Sequence, residues 1–107
     1  MDTIALTGAQ KSMLRGHGQR MDASVKVGKD GLTPMIIAEI GRQLRARELV
    51  KIRFVGSPRG ARAELCKQLS AATGSACVGS VGQTALFFIP FADPAAESML
   101  GARLEAS

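Results

Sequence analysis

Ser24-Val25-Lys26-Val27-Gly28-Lys29-Asp30-Gly31-Leu32-Thr33-Pro34 is the most informative stretch of the chain, because the backbone period changes within it. Ser24 to Val27 alternates polar and apolar residues, the pattern of a half-buried strand. Gly28-Lys29-Asp30-Gly31 ends that strand in a loop. Thr33 is then placed as an N-cap and Pro34 as the first helical residue, which together satisfy or remove donors that the first turn would leave orphaned. A strand handed through a short loop to a helix start is the opening of an alternating α/β chain.

Toward the C-terminus, Met35–Glu48 continues that helix. Ile36, Ile40 and Leu44 recur every four residues with Ile37 beside them, giving one apolar face, while Arg42, Arg45 and Arg47 lie mostly off it. Leu49–Val55 returns to period two, with Val50, Ile52 and Phe54 on one side and Lys51 and Arg53 on the other. Ser57-Pro58 repeats the cap-and-proline start, and Ala61, Leu65, Leu69 and Ala72 mark the stripe of a further helix closed by Gly74. Two strands fit Ala76–Val81 and Thr84–Ile89, joined by a turn at Gly82-Gln83 and stopped by Pro90. Toward the N-terminus, Thr7–Met21 reads as a helix capped by Thr7 that frays at Gly16 and Gly18. The predicted order is helix-strand-helix-strand-helix-strand-strand, an α/β two-layer sandwich around a mixed four-stranded sheet. With 107 residues the chain is one domain, expected over residues 1–90, with residues 91–107 a loosely helical or disordered tail.

Charge is unevenly placed along this scaffold. Thirteen of the fourteen Lys and Arg fall between residues 11 and 67, against five of the nine acids, a local balance of +8 where the whole chain carries +5. Phosphate neutralisation with counterion release drives non-specific nucleic-acid binding, so the first two thirds suit a polyanion. A basic protein also suits an anionic membrane or an acidic protein. The longest strongly apolar run, Ala85–Ala92, is interrupted by Pro90 and falls far short of the ~20 residues that span a bilayer. No basic start and apolar run mark a signal peptide, so a cytoplasmic protein without membrane contact is expected. Cys66 and Cys77 form no C-x-x-C pair and are expected as small buried hydrophobes.

The candidate site is the loop. Gly28 and Gly31 let a sugar-phosphate backbone approach the main chain closely, the following helix N-terminus offers unpaired N–H groups and a positive dipole end, and Lys29 adds mobile charge beside Asp30. This is the logic by which KH domains clamp single-stranded backbone, although a tight strand-to-helix turn alone also fits the spacing. Lys26, Lys51 and Arg53 would extend the basic surface along the sheet, and Arg42 and Arg45 along the helix. Gly56-Ser57-Pro58-Arg59-Gly60 reads as an N-cap with a solvent-facing Arg, and Gly79-Ser80-Val81-Gly82 as a structural hairpin. No catalytic constellation, metal site or cofactor is expected, because His17 is the single histidine and the acids are scattered. With no Trp or Tyr, and Phe at positions 54, 87, 88 and 91, a stacking platform of the recognition-motif or OB-fold kind is disfavoured.

Taken together the chain resembles the YhbY family of bacterial CRM-domain proteins (chloroplast RNA splicing and ribosome maturation). The resemblance is carried by Leu6-Thr7, Gln10, Leu14 and Arg15, then by Val27-Gly28-Lys29-Asp30-Gly31-Leu32-Thr33. Ala38-Glu39-Ile40, Glu48-Leu49-Val50-Lys51-Ile52, Thr73-Gly74 and Val81-Gly82-Gln83-Thr84 to Pro90 continue it. It implies a fold like the C-terminal domain of translation initiation factor three, an RNA-binding surface containing the Gly28–Gly31 loop, and association with precursor large ribosomal subunits, whose ribosomal RNA is the expected partner of a protein expected to be a monomer. Three positions depart from the family pattern. Gln83 replaces the usual Lys of a Gly-Lys-Thr turn, Phe88-Ile89 a usual Tyr-Arg, and Gln19 a common His. These departures move weight from the last hairpin to the Gly28–Gly31 loop. From the residues alone, a DNA-binding or nucleoid-associated protein and an adaptor for an acidic partner remain alternatives.

Overall fold

The computed structural model describes residues 6–56 and 60–89. Seven elements follow the predicted order: α1 (Gly8–Gln19), β1 (Val25–Val27), α2 (Pro34–Arg47), β2 (Leu49–Phe54), α3 (Ala61–Thr73), β3 (Ala76–Val81) and β4 (Thr84–Phe88). The sheet order is β1-β2-β4-β3. β1 runs parallel to β2, which requires the α2 crossover between them, and the remaining pairs are antiparallel. The expected 91–107 tail and the Ser57-Pro58 cap lie outside the described residues.

Local chemistry explains most boundaries. The Thr7 hydroxyl accepts the Gln10 N–H at 3.1 Å while the Gln10 side-chain carbonyl accepts the Thr7 N–H at 2.9 Å, a closed capping box. Thr33 caps α2 by accepting the Ile36 N–H at 3.2 Å, with Pro34 in the first turn. Gly74, at φ 72°, ends α3 in the left-handed conformation. Gly60, not a serine, occupies the start of α3 and offers no side-chain cap.

Other boundaries fall within a residue or two of expectation, and two features of the helices differ for a physical reason. α1 does not fray at its glycines but runs through Gly16 and Gly18 to Gln19. Gly18 is buried against β4, where a Cβ would lie 2.3 Å from Leu86 Cδ1, so glycine is what allows the helix to approach the sheet. Glu48, expected as the last residue of α2, is instead its C-cap, at a positive φ of 69°. Its N–H bonds to the Leu44 carbonyl at 2.9 Å and its carbonyl accepts the Ile89 N–H at 3.0 Å, so a single buried residue turns the chain from helix to strand.

Strand alternation divides the interior in two. Val27, Val50, Ile52, Phe54, Ala85 and Phe87 face α2 and α3, which supply Ile40, Leu44, Cys66 and Leu69. Leu49, Val78, Leu86 and Phe88 face the other way and are met by Leu14 of α1. The sandwich therefore has α2 and α3 as its helical layer, with α1 seated on part of the opposite sheet face. Leu65, expected as buried, is partly exposed and packs at the margin, while Cys66 and Leu69 take the interior positions.

Candidate nucleic-acid interface

The loop is a closed turn. The Gly31 N–H bonds to the Gly28 carbonyl at 3.0 Å, and Gly31 has φ 71°, a conformation in which a side chain would be strained. Nothing lies within 4 Å of where a Cβ of Gly28 would be, so its outer side is open to an approaching backbone. Lys29 and Asp30 at the tip are exposed. The helix behind the loop offers fewer donors than its position suggests. Thr33 takes the Ile36 N–H with its hydroxyl and the Ile37 N–H with its carbonyl, and Pro34 has none, which leaves the Met35 N–H in that turn. An anion at this end relies on Lys29 and the loop backbone more than on the helix terminus.

Three connections meet beside it. The Val55 N–H reaches the Val27 carbonyl and the Phe54 N–H reaches the Gln83 carbonyl, both at 2.8 Å. A Cβ at Gly56 would lie 3.7 Å from Lys29 Cγ. The Gly28–Gly31 loop, the chain leaving β2 and the Gly82-Gln83 turn therefore form one end of the molecule.

Running across the sheet at that end is a single row of paired residues. Lys26 is registered with Arg53, Arg53 with Thr84, and Thr84 with Val81. Because Val27, Ile52, Phe54 and Ala85 point toward α2 and α3, this row points to the α1 side. α1 covers the next row instead. Gly18 rests on Leu86, Arg15 Nη1 donates to the Val78 carbonyl at 3.3 Å, and Lys51 Nζ donates to the Gly18 and Met21 carbonyls, each at 3.2 Å. Lys51 thus caps the C-terminal end of α1, where a cation also meets the negative pole of the helix. Lys26 and Arg53 remain exposed in the open row.

Arg42 and Arg45 are not brought to this surface. α2 packs on the opposite sheet face through Ile40 and Leu44, which places both arginines across the sheet from Lys26 and Arg53. Arg42 is held by Glu39 through Nε at 3.0 Å and Nη2 at 2.5 Å. Hydrogen bonds from Arg42 and then Gln43 hold the Glu39 carboxyl below its ordinary range, and the same contact raises Arg42. Arg15, Thr84 and Val81, by contrast, join the surface without having been picked from the sequence. Lys11 and Arg15, four apart on one helix stripe, were the available signal for the first. The other two required the strand register.

The two cysteines lie on the α2/α3 side of the sheet, beside Arg62 and Lys67. Cys66 is buried and Cys77 half-buried, and their thiols are hydrogen-bonded to each other without a disulfide. That bond, with a further one from the Gly79 backbone, brings Cys77 down to about 7 against the cost of burial, while its partner Cys66 is pushed up. Among the described residues no group of three His, Cys, Asp or Glu is placed to hold a metal ion, and no helix is long and apolar enough to cross a membrane.

A four-stranded α/β sandwich whose glycine-flanked, lysine-tipped loop continues into an uncovered basic row is the build of a small domain with one cationic end. Residues 6–88 match the CRS1 / YhbY (CRM) domain, and the chain belongs to that family. A protein of Pseudomonas aeruginosa named a probable RNA-binding protein is 33% identical over 85 residues, covering 79% of this chain and 82% of that one. The probable RNA-binding protein YqeI of Bacillus subtilis is 29% identical over 83 residues, covering 78% and 86% respectively. The solution structure of a hypothetical protein of Staphylococcus aureus, described as a candidate RNA-binding protein, superposes with a TM-score of 0.74. That structure is 30% identical and covers 83% of this chain and 93% of its own.

Proposed function

We propose that this protein binds RNA through the Gly28–Gly31 loop and the Lys26–Arg53 pair, and that its target is ribosomal RNA on precursors of the large ribosomal subunit in the cytoplasm. The observation that carries the reading is the continuity of the two: an open, cationic turn at the end of β1 and two exposed cations side by side on β1 and β2. Lys29, Lys26 and Arg53 offer three mobile charges at one end of a sheet, and the bare outer side of Gly28 lets a sugar-phosphate chain come close. Phosphate contacts position the strand and provide the salt-sensitive part of affinity. Relatives named for RNA binding support RNA as the polymer. The ribosomal target follows from the family resemblance.

The test is sedimentation of cell extract with and without ribonuclease, together with direct competition between RNA and DNA of matched sequence. Cofractionation with free large-subunit precursors, lost on ribonuclease treatment, is the expected result. Migration that ignores ribonuclease would point to an acidic protein partner and overturn the reading, as would equal competition by DNA.

A further inference from the structure

The open row has two unlike halves. On β1 and β2 it carries Lys26 and Arg53, and on β4 and β3 it carries Thr84 and Val81. Three strand spacings make it about 14 Å long. Val81 is 75% exposed, the other exposed large hydrophobic residues among those described being Met35 on α2 and Val55 just after β2. Single exposed apolar residues are ordinary on a soluble protein, but Val81 continues the row that carries the exposed cations. The described phenylalanines, Phe54, Phe87 and Phe88, are buried, so aliphatic groups are what this end presents to a flat apolar ligand. Thr84 donates its hydroxyl proton to the Val81 carbonyl at 2.9 Å, so the hydroxyl oxygen keeps its capacity as an acceptor.

We propose that the row takes unpaired nucleotides, with phosphates on Lys26 and Arg53 and the unstacked bases lying over Val81 and Thr84. The proposal rests on the RNA reading above and adds to it which form of RNA is bound and which residues meet the bases. A duplex turns its phosphates outward and keeps its bases stacked, so it can engage the β1–β2 half and offers nothing to the β4–β3 half. An unpaired strand can satisfy both, since an unstacked base has an apolar face for Val81 and N–H groups for the Thr84 oxygen.

The test compares a short mixed-sequence oligoribonucleotide, its duplex and an abasic strand of the same length by fluorescence anisotropy. Val81→Ser and Lys26→Ala are measured beside the unaltered protein. Val81→Ser keeps the exposed backbone position, and a thermal melt checks its fold. The expected result is weaker binding of duplex and abasic strand than of the single strand. Val81→Ser should lower affinity for the base-bearing strand about fivefold and leave the abasic strand unchanged. Lys26→Ala should weaken both strands. If Val81→Ser acts equally on both strands, or on neither, the base contact is wrong while the RNA reading stands. If no strand binds, or Lys26→Ala changes nothing, the failure belongs to the interface itself and this inference falls with it.

Discussion

Lys29 sits with Asp30 at the exposed tip of a turn whose geometry belongs to the flanking glycines, so its charge can be reversed without touching the fold. Gly28 and Gly31 keep the hydrogen bond that closes the loop, and Lys29 is exposed. Lys29→Asp should therefore change stability by no more than about 0.5 kcal/mol. It places a carboxylate beside Asp30 where phosphate approaches, so RNA affinity should fall well beyond the loss seen for Lys67→Asp, the same charge change at an exposed position on α3. Equal losses for the two variants, measured at one salt concentration, would reduce the loop to its net charge. Cys77 allows a second residue-level prediction. Its thiol, brought down to about 7 by the Cys66 hydrogen bond, is ionised above that pH and reacts as thiolate, so iodoacetamide labelling of Cys77 should rise through pH 7. Cys66, pushed up, should stay unlabelled in the native protein over the same range. Cys66→Ala removes the donor and should move the Cys77 midpoint upward toward the ordinary thiol range. An unmoved midpoint would show that the thiol contact is not the cause.

Among the elements, α1 holds a direct comparison between two glycines two residues apart. Gly16 has nothing within 4 Å of a Cβ position, whereas Gly18 has Leu86 Cδ1 at 2.3 Å. Gly16→Ala gains helix propensity at no steric cost and should stabilise by about 0.5–1 kcal/mol. Gly18→Ala gains the same propensity but overpacks the α1–β4 contact, and should destabilise by about 1 kcal/mol net. Urea denaturation of both variants checks the pair, and two changes of the same sign would mean that α1 does not approach β4 as described. Elements with strong periodicity were legible from the sequence: α2 shows its apolar stripe and cap, and β2 its alternation, and each formed within one residue of its expected end. Leu44, 2% exposed, should accordingly cost ~2–5 kcal/mol when replaced by Ala, and Leu65, at the core margin, distinctly less. Not legible were features whose cause is distant in sequence. Gly18 looks like a helix breaker until Leu86, on the last strand, is seen against it. Glu48 looks like a helical residue until β2 is required to start at Leu49.

At the scale of the molecule the same limit decides the candidate site. Lys26 and Arg53 could be paired from alternation once two strands were assumed, but no local pattern says that Thr84 and Val81 complete their row, because that depends on β4 pairing with β2 and β3. Nor does it say that Arg42 and Arg45 lie across the sheet, since that depends on which face α2 covers. Net charge alone treats all these cations alike, and the fold does not. Salt dependence tells the two descriptions apart. If ~3–5 phosphates of an unpaired strand are neutralised, the slope of log affinity against log salt should be about −2 to −3.5. Lys26→Gln removes one contact and should shallow that slope by about 0.7, and Arg53→Gln should do the same. Arg45→Gln removes an equal charge from the far face and should leave the slope unchanged, lowering affinity only slightly through the general field of the protein. A titration in which all three variants shallow the slope alike would mean that RNA wraps both faces, and the interface would then have to be drawn around α2 as well as along the sheet.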